Sequence, residues 1–338
     1  MEKSQIILQL FPASIRKIFE QIACHYETLE EIRLRVGRPI LIYERGEEQY
    51  IDFEGKLTAD RKQARNISES ELKEILNYLC SYSLYAYEEE IKMGYITVPG
   101  GHRVGMAGQI VMDENGKVKR MKNISSMNIR ISHQIKGTSD AILPWLFEDG
   151  QFQDTLIISS PGMGKTTLLR DLIRNLSDGT REYMGQTVAV VDERSEIGGC
   201  FMGVAQNDVG MRTDILDGCL KLYGMRMLMR SMTPKIVAID EIGGEEEMGE
   251  LRNLSGCGCK LLATIHGESM EDIKRKEWIR QVLDERLFRR FVLIKRDRAS
   301  RIIYQVYKSG DEDGIVFSED GWKSADYCFG NSFGAKFS

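Results

Sequence analysis

The stretch TLIISSPGMGKTTLLRDLIRNL, residues 155–176, constrains the fold more than any other part of this chain. An apolar run, a glycine-containing turn and an amphipathic pattern follow one another, which predicts a strand, a loop and a helix. The loop matches the phosphate-binding motif G-x-x-x-x-G-K-[ST] at every fixed position except the first, where Ser159 replaces glycine. A strand–loop–helix unit of this kind predicts an α/β fold built on a mostly parallel sheet.

The loop residues have the chemistry that binds nucleotide phosphates. Gly162 and Gly164 allow backbone N–H groups to turn toward a β-phosphate, and the helix that begins near Lys165 adds its positive end. The ammonium group of Lys165 reaches the β- and γ-phosphates, and the hydroxyl of Thr166 ligates magnesium. The alternative is a chance match in a structural turn. We predict ATP and Mg2+ as cofactors, bound by Ser159, Ser160, Pro161, Gly162, Met163, Gly164, Lys165, Thr166 and Thr167.

The two halves of the chain differ in pattern, and a length of 338 residues is enough for two domains. Residues 1–145 mix strand and helix patterns and predict a smaller α+β domain, whose helix start is marked by Ser68 and Glu71 in a Ser-x-x-Glu pattern. Residues 146–310 alternate strand and helix, as an α/β domain requires. Residues 311–338 are predicted to be an irregular C-terminal extension. The strand candidates of the second half are 155–159, 187–192, 235–240, 260–265, 291–295 and 302–307.

Composition excludes several classes of protein. The net charge of −5 provides no general attraction to nucleic acid. No apolar run approaches the roughly 18 residues of a membrane span, and the N-terminal residues have no signal-peptide core. The seven scattered cysteines argue against a disulfide framework, and we interpret Cys257 and Cys259 as ordinary thiols rather than as a metal site. We expect a cytoplasmic protein that reaches a membrane only through partners.

Three later apolar segments end in polar side chains. KIVAIDE ends in Asp240 and Glu241, TVAVVDE ends in Asp192 and Glu193, and CKLLATIH ends in His266. The carboxyl ends of parallel strands face the ligand-binding crevice of an α/β sheet. Acids there hold magnesium and orient water, and a polar group there can sense the γ-phosphate. The alternatives are solvated surface acids and a structural histidine.

Together these segments resemble the secretion-superfamily ATPases of type II and type IV systems. The segment VDERSE, residues 191–196, is similar to the acidic box of that family, IDE, residues 239–241, to its Walker B motif, and TIHG, residues 264–267, to its histidine box. The resemblance implies a RecA-like ATPase domain preceded by a PAS-like N-terminal domain. It also implies a homo-oligomer, a hexamer as in that family, that acts as a motor.

Four segments narrow the resemblance to a sporulation branch of that superfamily in endospore-forming bacteria: EIRLRVGRP, GYITVPGGHRVGMAGQ, DVGMRTDILDG and GMRMLMRSMTPKIVAIDEIG. This resemblance implies an ATPase in the cytoplasm of the mother cell. Its partners would be further copies of itself and membrane-embedded, secretion-like channel proteins of the sporulation apparatus, with no nucleic acid. The motor would power or assemble that channel complex.

The resemblance also implies residue roles, with one departure from the family pattern. The family's acidic box commonly has Glu before Asp, whereas this chain has Asp192 before Glu193. We expect Glu193, acting with Asp192, to align the attacking water, and Glu241 to hold a water bound to magnesium. His266 reads the γ-phosphate. The catalytic candidates are Glu193, Asp192, Glu241, His266, Arg103 and Arg130, and the metal ligands are Thr166, Asp240 and Glu241.

Arginines are required because charge develops on the transferred phosphoryl group, where such a side chain is worth about 10³ or more in rate. Arg103 and Arg130 are the first candidates, offered by the N-terminal domain. Arg212, Arg226 and Arg230 are the second set. Solvated surface arginines are the alternative for each.

Two other functions fit the same motifs. A nucleic-acid-dependent ATPase would need basic, aromatic-bearing loops, and DIKRKEWIRQ, residues 272–281, is the candidate segment, although a solvated helix face explains it as well. An ATP-gated assembly scaffold with little turnover would tolerate Ser159 and the reversed acidic pair. A phosphoryl-transferring kinase is a third alternative, for which the chain offers no obvious lid segment.

Overall fold

The computed structural model describes residues 3–20 and 25–318 of the chain. These residues fall into two compact units. The first contains the residues up to Gln134 together with the later segment Gly198–Asp208, and the second contains Ile135–Ile197 and the residues from Val209 onward. The phosphate-loop residues and both acidic pairs therefore belong to the second unit.

The first unit is built on an antiparallel sheet with the strand order β4-β3-β2-β1-β7-β6-β5. Its strands are β1 Leu29–Arg35, β2 Leu41–Glu44, β3 Glu47–Ile51, β4 Leu57–Thr58, β5 Tyr95–Val98, β6 His102–Met112 and β7 Val118–Arg130. The helices among its described residues are α1 Lys3–Leu8, α2 Glu69–Leu79 and α3 Glu88–Lys92, with 3₁₀ turns at Arg16–Phe19 and Leu84–Tyr87.

One face of this sheet is buried beneath the helices. Ile32 and Leu34 of β1 lie two residues apart, as the period of a strand requires, and both are fully buried. Ile75 of α2 belongs to the same core. The predicted start of α2 is confirmed, because the Glu71 N–H donates to Ser68 Oγ at 3.2 Å and the Ser68 N–H donates to Glu71 Oε2 at 2.9 Å.

The second unit is built on a mixed sheet with the strand order β12-β11-β13-β14-β10-β15-β16-β17. Its strands are β10 Thr155–Ser159, β11 Val188–Asp192, β12 Thr213–Asp217, β13 Ile236–Ile239, β14 Lys260–His266, β15 Arg290–Arg296, β16 Ile302–Lys308 and β17 Asp311–Ser318, and β8 Phe147–Glu148 pairs separately with β9 Gln151–Phe152. Its helices are α4 Lys165–Asp178, α5 Lys221–Ser231, α6 Glu245–Gly256, α7 Met270–Lys274 and α8 Glu277–Asp284, with a 3₁₀ turn at Leu143–Leu146.

The six strands from β12 to β15 run parallel, and β16 and β17 continue the sheet antiparallel. An α/β fold is therefore present, and each of the six predicted strands is found within one or two residues of its predicted bounds. Strand β14 lies between β10 and β13, so the phosphate loop and the Asp240 turn emerge from the same edge of the sheet on either side of His266.

The division of the chain differs from the predicted one in three places. The first unit ends at Gln134 rather than at residue 145, because the Ser139 N–H and hydroxyl both donate to Asp171 of α4 at 2.9 and 2.7 Å. Residues 198–208 join the first unit, where Gly100 N–H donates to Gln206 Oε1 at 3.0 Å. Residues 311–318 were expected to be irregular but form β17; the remainder of that predicted extension, 319–338, lies outside the described residues.

No described helix combines the length and the apolar character that crossing a bilayer would demand.

Candidate nucleotide-binding site

The loop after β10 has an open, glycine-dependent backbone. Gly162 and Gly164 have φ angles of 74° and 84°, in the left-handed region that glycine adopts without strain. A Cβ at either position would meet no atom within 4 Å, so the loop surrounds open space. No side chain caps the N-terminus of α4 at Gly164, which leaves the first N–H groups of that helix available to an anion.

Ser159, at the first position of the motif, is the last residue of β10 and is fully buried. Its carbonyl oxygen accepts from the Gly267 N–H at 3.1 Å, and its hydroxyl has no hydrogen-bond partner among the described residues. The side chain of Ser159 is thus enclosed by the surrounding protein.

The ammonium group of Lys165 is buried without a hydrogen-bond partner in the described part of the chain. The residue is 7% exposed, and Nζ lies 3.9 Å from Asp240 Oδ1. Burial lowers the pKa of Lys165, and the nearby carboxylates of Asp240 and Glu241 oppose that change. A buried ammonium that lacks a hydrogen-bond partner beside an open glycine loop fits a phosphate group that would complete its hydrogen bonds.

The carboxylate of Asp240, directly after β13, accepts hydrogen bonds from two hydroxyl groups. Thr166 Oγ1, in the first turn of α4, donates to Asp240 Oδ2 at 2.9 Å, and Thr264 Oγ1, in β14, donates to Asp240 Oδ1 at 2.6 Å. The structure thus brings together two of the three predicted metal ligands. A hydroxyl and a carboxylate in contact are oxygen groups of the kind that magnesium prefers.

Glu241, the third predicted metal ligand, has a strained backbone and lies beside an arginine and a histidine. Its φ of 55° is left-handed, which costs energy for a side chain of this kind and is typical of functional sites. The Thr264 hydroxyl accepts from its N–H at 2.8 Å and thereby holds the turn. Its carboxylate lies 3.2 Å from Arg194 Nη1 and 3.5 Å from His266 Nε2.

His266 lies at the carboxyl end of β14, between the phosphate loop and Glu241. Its Nδ1 is 3.3 Å from the carbonyl oxygen of Ser159, opposite the nitrogen that faces Glu241. His266 therefore lies next to both neighbouring strand ends.

Asp192 and Glu193 have different environments although they are adjacent. Asp192 is 2% exposed, and its two carboxylate oxygens accept from the N–H groups of Glu196 and Ile197, each at 2.9 Å. The buried guanidinium of Arg170, in α4, donates to the carbonyl oxygens of the same two residues at 2.5 and 2.8 Å. Asp192 and Arg170 thus fix the turn from two sides.

Replacing Asp192 with alanine is expected to destabilise the protein by about 2–4 kcal/mol, because two buried N–H groups lose a charged acceptor. Urea unfolding of the full chain, followed by circular dichroism, measures this loss. Asp284→Ala, which removes an exposed carboxylate at the end of α8, should change the free energy of unfolding by less than about 0.5 kcal/mol. Equal stability of Asp192→Ala and wild type would show that the turn does not depend on this carboxylate.

Glu193 lines a small cavity at the same edge of the sheet. The cavity is lined by Val191, Asp192, Glu193, Arg194, Glu196, Lys221, Asp240 and Glu241. The side chain is 31% exposed, and Oε2 lies 3.4 Å from Lys221 Nζ. Unlike the carboxylate of Asp192, that of Glu193 is thus accessible from the space beside Asp240.

The predicted arginines divide between the two units. Arg103 and Arg130 are register partners on β6 and β7 of the first unit. The Arg103 guanidinium lies 3.5 Å from the centre of the Tyr95 ring, and Arg130 Nε lies 3.8 Å from Glu31 Oε1. In the second unit, Arg212 donates to the carbonyl of Ser177, Arg226 pairs with Glu250, and Arg230 is exposed.

Sequence reasoning missed the parts that Thr264, Lys221 and Arg170 play in this site. Thr264 left a signal, because it is a polar residue in the buried run LLATI. No sequence pattern indicated the contacts of Lys221 and Arg170, because a lysine or arginine on a helix is ordinarily solvated and the contacts of both are long-range. Cys257 is exposed, and the buried Cys259 thiol donates to the carbonyl of Pro234 at 3.2 Å.

A family model described as "Sporulation stage III, protein AA" matches residues 1–316 of the chain. Stage III sporulation protein AA of Bacillus subtilis (strain 168) is 37% identical over 313 residues, which cover 92% of this chain and 96% of that protein. The similarity therefore spans both units.

Two solved structures share the fold. The ATPase DotB of Legionella pneumophila aligns with a TM-score of 0.57 at 16% identity, over 89% of this chain and 82% of that one. The pilus retraction motor PilT with bound ADP aligns with a TM-score of 0.57 at 14% identity, over 86% and 83%. At these identities the likeness concerns the fold.

Proposed function

This chain belongs to the family of sporulation stage III protein AA, and we propose on that premise that it is a magnesium-dependent ATPase. The observation that carries the proposal is the buried ammonium of Lys165, which has no hydrogen-bond partner among the described residues, beside the contact between Thr166 and Asp240. A cation of this kind is costly unless a ligand completes its hydrogen bonds. The triphosphate of a nucleotide does so and brings its own magnesium ion.

The magnesium ion would be held by the Thr166 hydroxyl and the Asp240 carboxylate, with Glu241 binding one of its waters. When bound, the ion neutralises charge on the phosphates. The described residues contain no group of three or more His, Cys, Asp or Glu side chains that could hold a metal ion without a nucleotide. Magnesium accepts this arrangement, since it commonly binds through one or two protein oxygens together with phosphates and water.

The chain supplies the remaining parts of a hydrolysis site. We assign the attacking water to Glu193, because its carboxylate faces the cavity whereas both oxygens of Asp192 accept backbone N–H groups. Asp192 then acts by fixing the turn that carries Glu193. His266, between Glu241 and the strand that leads into the loop, would report the γ-phosphate.

The proposal also covers the two units, their oligomer and its membrane partners. We propose that the second unit is RecA-like and that the first unit is PAS-like, with Arg103 and Arg130 neutralising charge on the phosphoryl group. We also propose that the chain forms a homo-oligomer, a hexameric ring. We further propose that it works in the cytoplasm of the mother cell with membrane-embedded channel proteins, as a motor that powers or assembles their complex during endospore formation. The ATPase and motor named in the two structural comparisons support this proposal through fold alone.

The first test is ATP hydrolysis by the purified full chain with and without magnesium. We expect phosphate release with Mg2+ and a loss of at least about 10-fold when EDTA removes the ion, because the phosphates then lack their counter-charge. Mass measurement in the same samples tests whether the nucleotide stabilises a ring. Equal phosphate release with and without the ion would contradict the proposal, and tight ATP binding without any turnover would favour an ATP-gated scaffold.

A further inference from the structure

The first residue of α5, Lys221, contacts three elements at the candidate site. Its Nζ lies 2.5 Å from the carbonyl oxygen of Glu241, 3.4 Å from Glu193 Oε2 and 3.7 Å from Glu247 Oε1. The side chain is only 13% exposed. One ammonium group therefore joins the turn after β11, the turn after β13 and the first turn of α6.

The position of this lysine contradicts the local rule for helices. A cation is unfavourable in the first turn of a helix, where the helix dipole is positive and acidic residues are preferred. Leu220, which precedes Lys221, provides no side-chain cap that would offset this effect. Sequences that break a local rule commonly do so at functional sites. The compensation is found in the acidic turns that Lys221 contacts.

The contacts of Lys221 act on the orientation of Glu193. Glu247 is itself held, because its Oε2 accepts from the Gly243 N–H at 2.7 Å. The peptide group that carries the Glu241 carbonyl is also held, because the Ile242 N–H donates to the Thr264 carbonyl oxygen at 2.8 Å. Two of the three partners of Lys221 are thus held in place. They hold the ammonium group in turn, and the ammonium group restrains the Glu193 carboxylate.

We propose that Lys221 is a positioning residue that holds the Glu193 carboxylate in the orientation needed to align the attacking water. This inference rests on the proposed ATPase function. Lys221 acts through Glu193 and through no contact of its own with the nucleotide. Its loss therefore lowers the rate of the chemical step and leaves nucleotide affinity intact, since a misplaced catalytic group costs rate even when the substrate stays bound.

The test compares Lys221→Met, Lys221→Arg and the matched control Lys235→Met, whose lysine is exposed in the same unit. The full chain is assayed for kcat with Mg-ATP and for Kd with a fluorescent ADP analogue. We expect Lys221→Met to lower kcat about 10-fold or more and to change Kd less than about three-fold. Lys221→Arg keeps the cation and recovers a substantial part of kcat. Lys235→Met behaves as wild type.

A double variant separates positioning from a purely structural role. If Lys221 acts through Glu193, then Lys221→Met adds little to the loss already caused by Glu193→Gln, because the two residues work as a unit. Losses that multiply in the double variant overturn the inference. So does a Lys221→Met variant with wild-type kcat, or one that loses affinity instead of kcat.

The same assays distinguish this inference from the proposed function. A wild-type chain that hydrolyses ATP, together with an inactive Lys165→Ala variant, upholds the ATPase whatever happens at Lys221. Unimpaired Lys221→Met in that setting overturns only the positioning role. A wild-type chain that neither binds nor hydrolyses ATP removes both.

Discussion

Replacing Lys165 with alanine is expected to reduce ATP turnover by about 10³-fold or more, the scale of a lost positive charge at a transferring phosphoryl group. The ammonium is buried 3.9 Å from Asp240 and has no hydrogen-bond partner in the described part of the chain. Because burial lowers the pKa of Lys165, its charged form is costly in the free protein and is stabilised by phosphate. Nucleotide affinity should therefore fall as well, and titration with a fluorescent ATP analogue measures it.

Stability provides the control for this variant. Alanine removes a buried charge that has no hydrogen-bond partner, so the free energy of unfolding should stay the same or rise, as is common when a functional residue is replaced. Lys235→Ala removes an exposed lysine from the same unit and should leave turnover within about two-fold of wild type. A stable Lys165→Ala variant that hydrolyses ATP at the wild-type rate would refute the assignment of the loop.

Replacing Glu193 with glutamine is expected to lower turnover by about 10²–10³-fold while nucleotide affinity stays within about three-fold. The amide has the shape of the carboxylate but cannot take a proton from the attacking water. The carboxylate faces the cavity beside Asp240 and has no described contact with the phosphate loop. Single-turnover hydrolysis at saturating Mg-ATP isolates this step from product release.

Comparison of the Glu193 and Asp192 variants decides which of the two carboxylates aligns the attacking water. Asp192→Asn is expected to lower stability, because the amide is a weaker acceptor for the N–H groups of Glu196 and Ile197. Glu245→Gln, at an exposed position in the first turn of α6, serves as the control for a lost surface charge. If folded Asp192→Asn loses the chemical step and Glu193→Gln keeps it, the assignment is reversed.

The local parts of the site could be predicted from the sequence because each has a short-range cause. Gly162 and Gly164 indicate a left-handed loop backbone, and an apolar run before Asp240 indicates a strand end. Since the carboxyl ends of parallel strands share one edge of a sheet, His266 could be expected near these residues. The Ser68–Glu71 start of α2 is local in the same way.

The long-range parts could not be predicted in this way. Lys221 meets Glu193 only because α5 begins beside two strand ends, and no periodicity reports that meeting. Asp192 and Glu193 are alike in sequence, and only their hydrogen bonds separate a carboxylate that fixes a turn from one that faces a cavity. Strand β17 was missed because its glycine and acidic residues resemble a turn, although pairing with β16 satisfies its backbone.

Because Gly198–Asp208 belongs to the first unit, the two units are not encoded as two continuous segments. This limits how the protein can recombine during evolution. A cut after Gln134 would leave the first unit incomplete, since that unit needs a segment encoded between the two parts of the second. Genetic shuffling, which exchanges continuous stretches of coding sequence, could not transplant the first unit as a cassette. The segment Gly198–Asp208 begins directly after Ile197, whose N–H donates to the Asp192 carboxylate in the acidic turn after β11. The first unit therefore depends on coding sequence that directly continues that of the acidic turn.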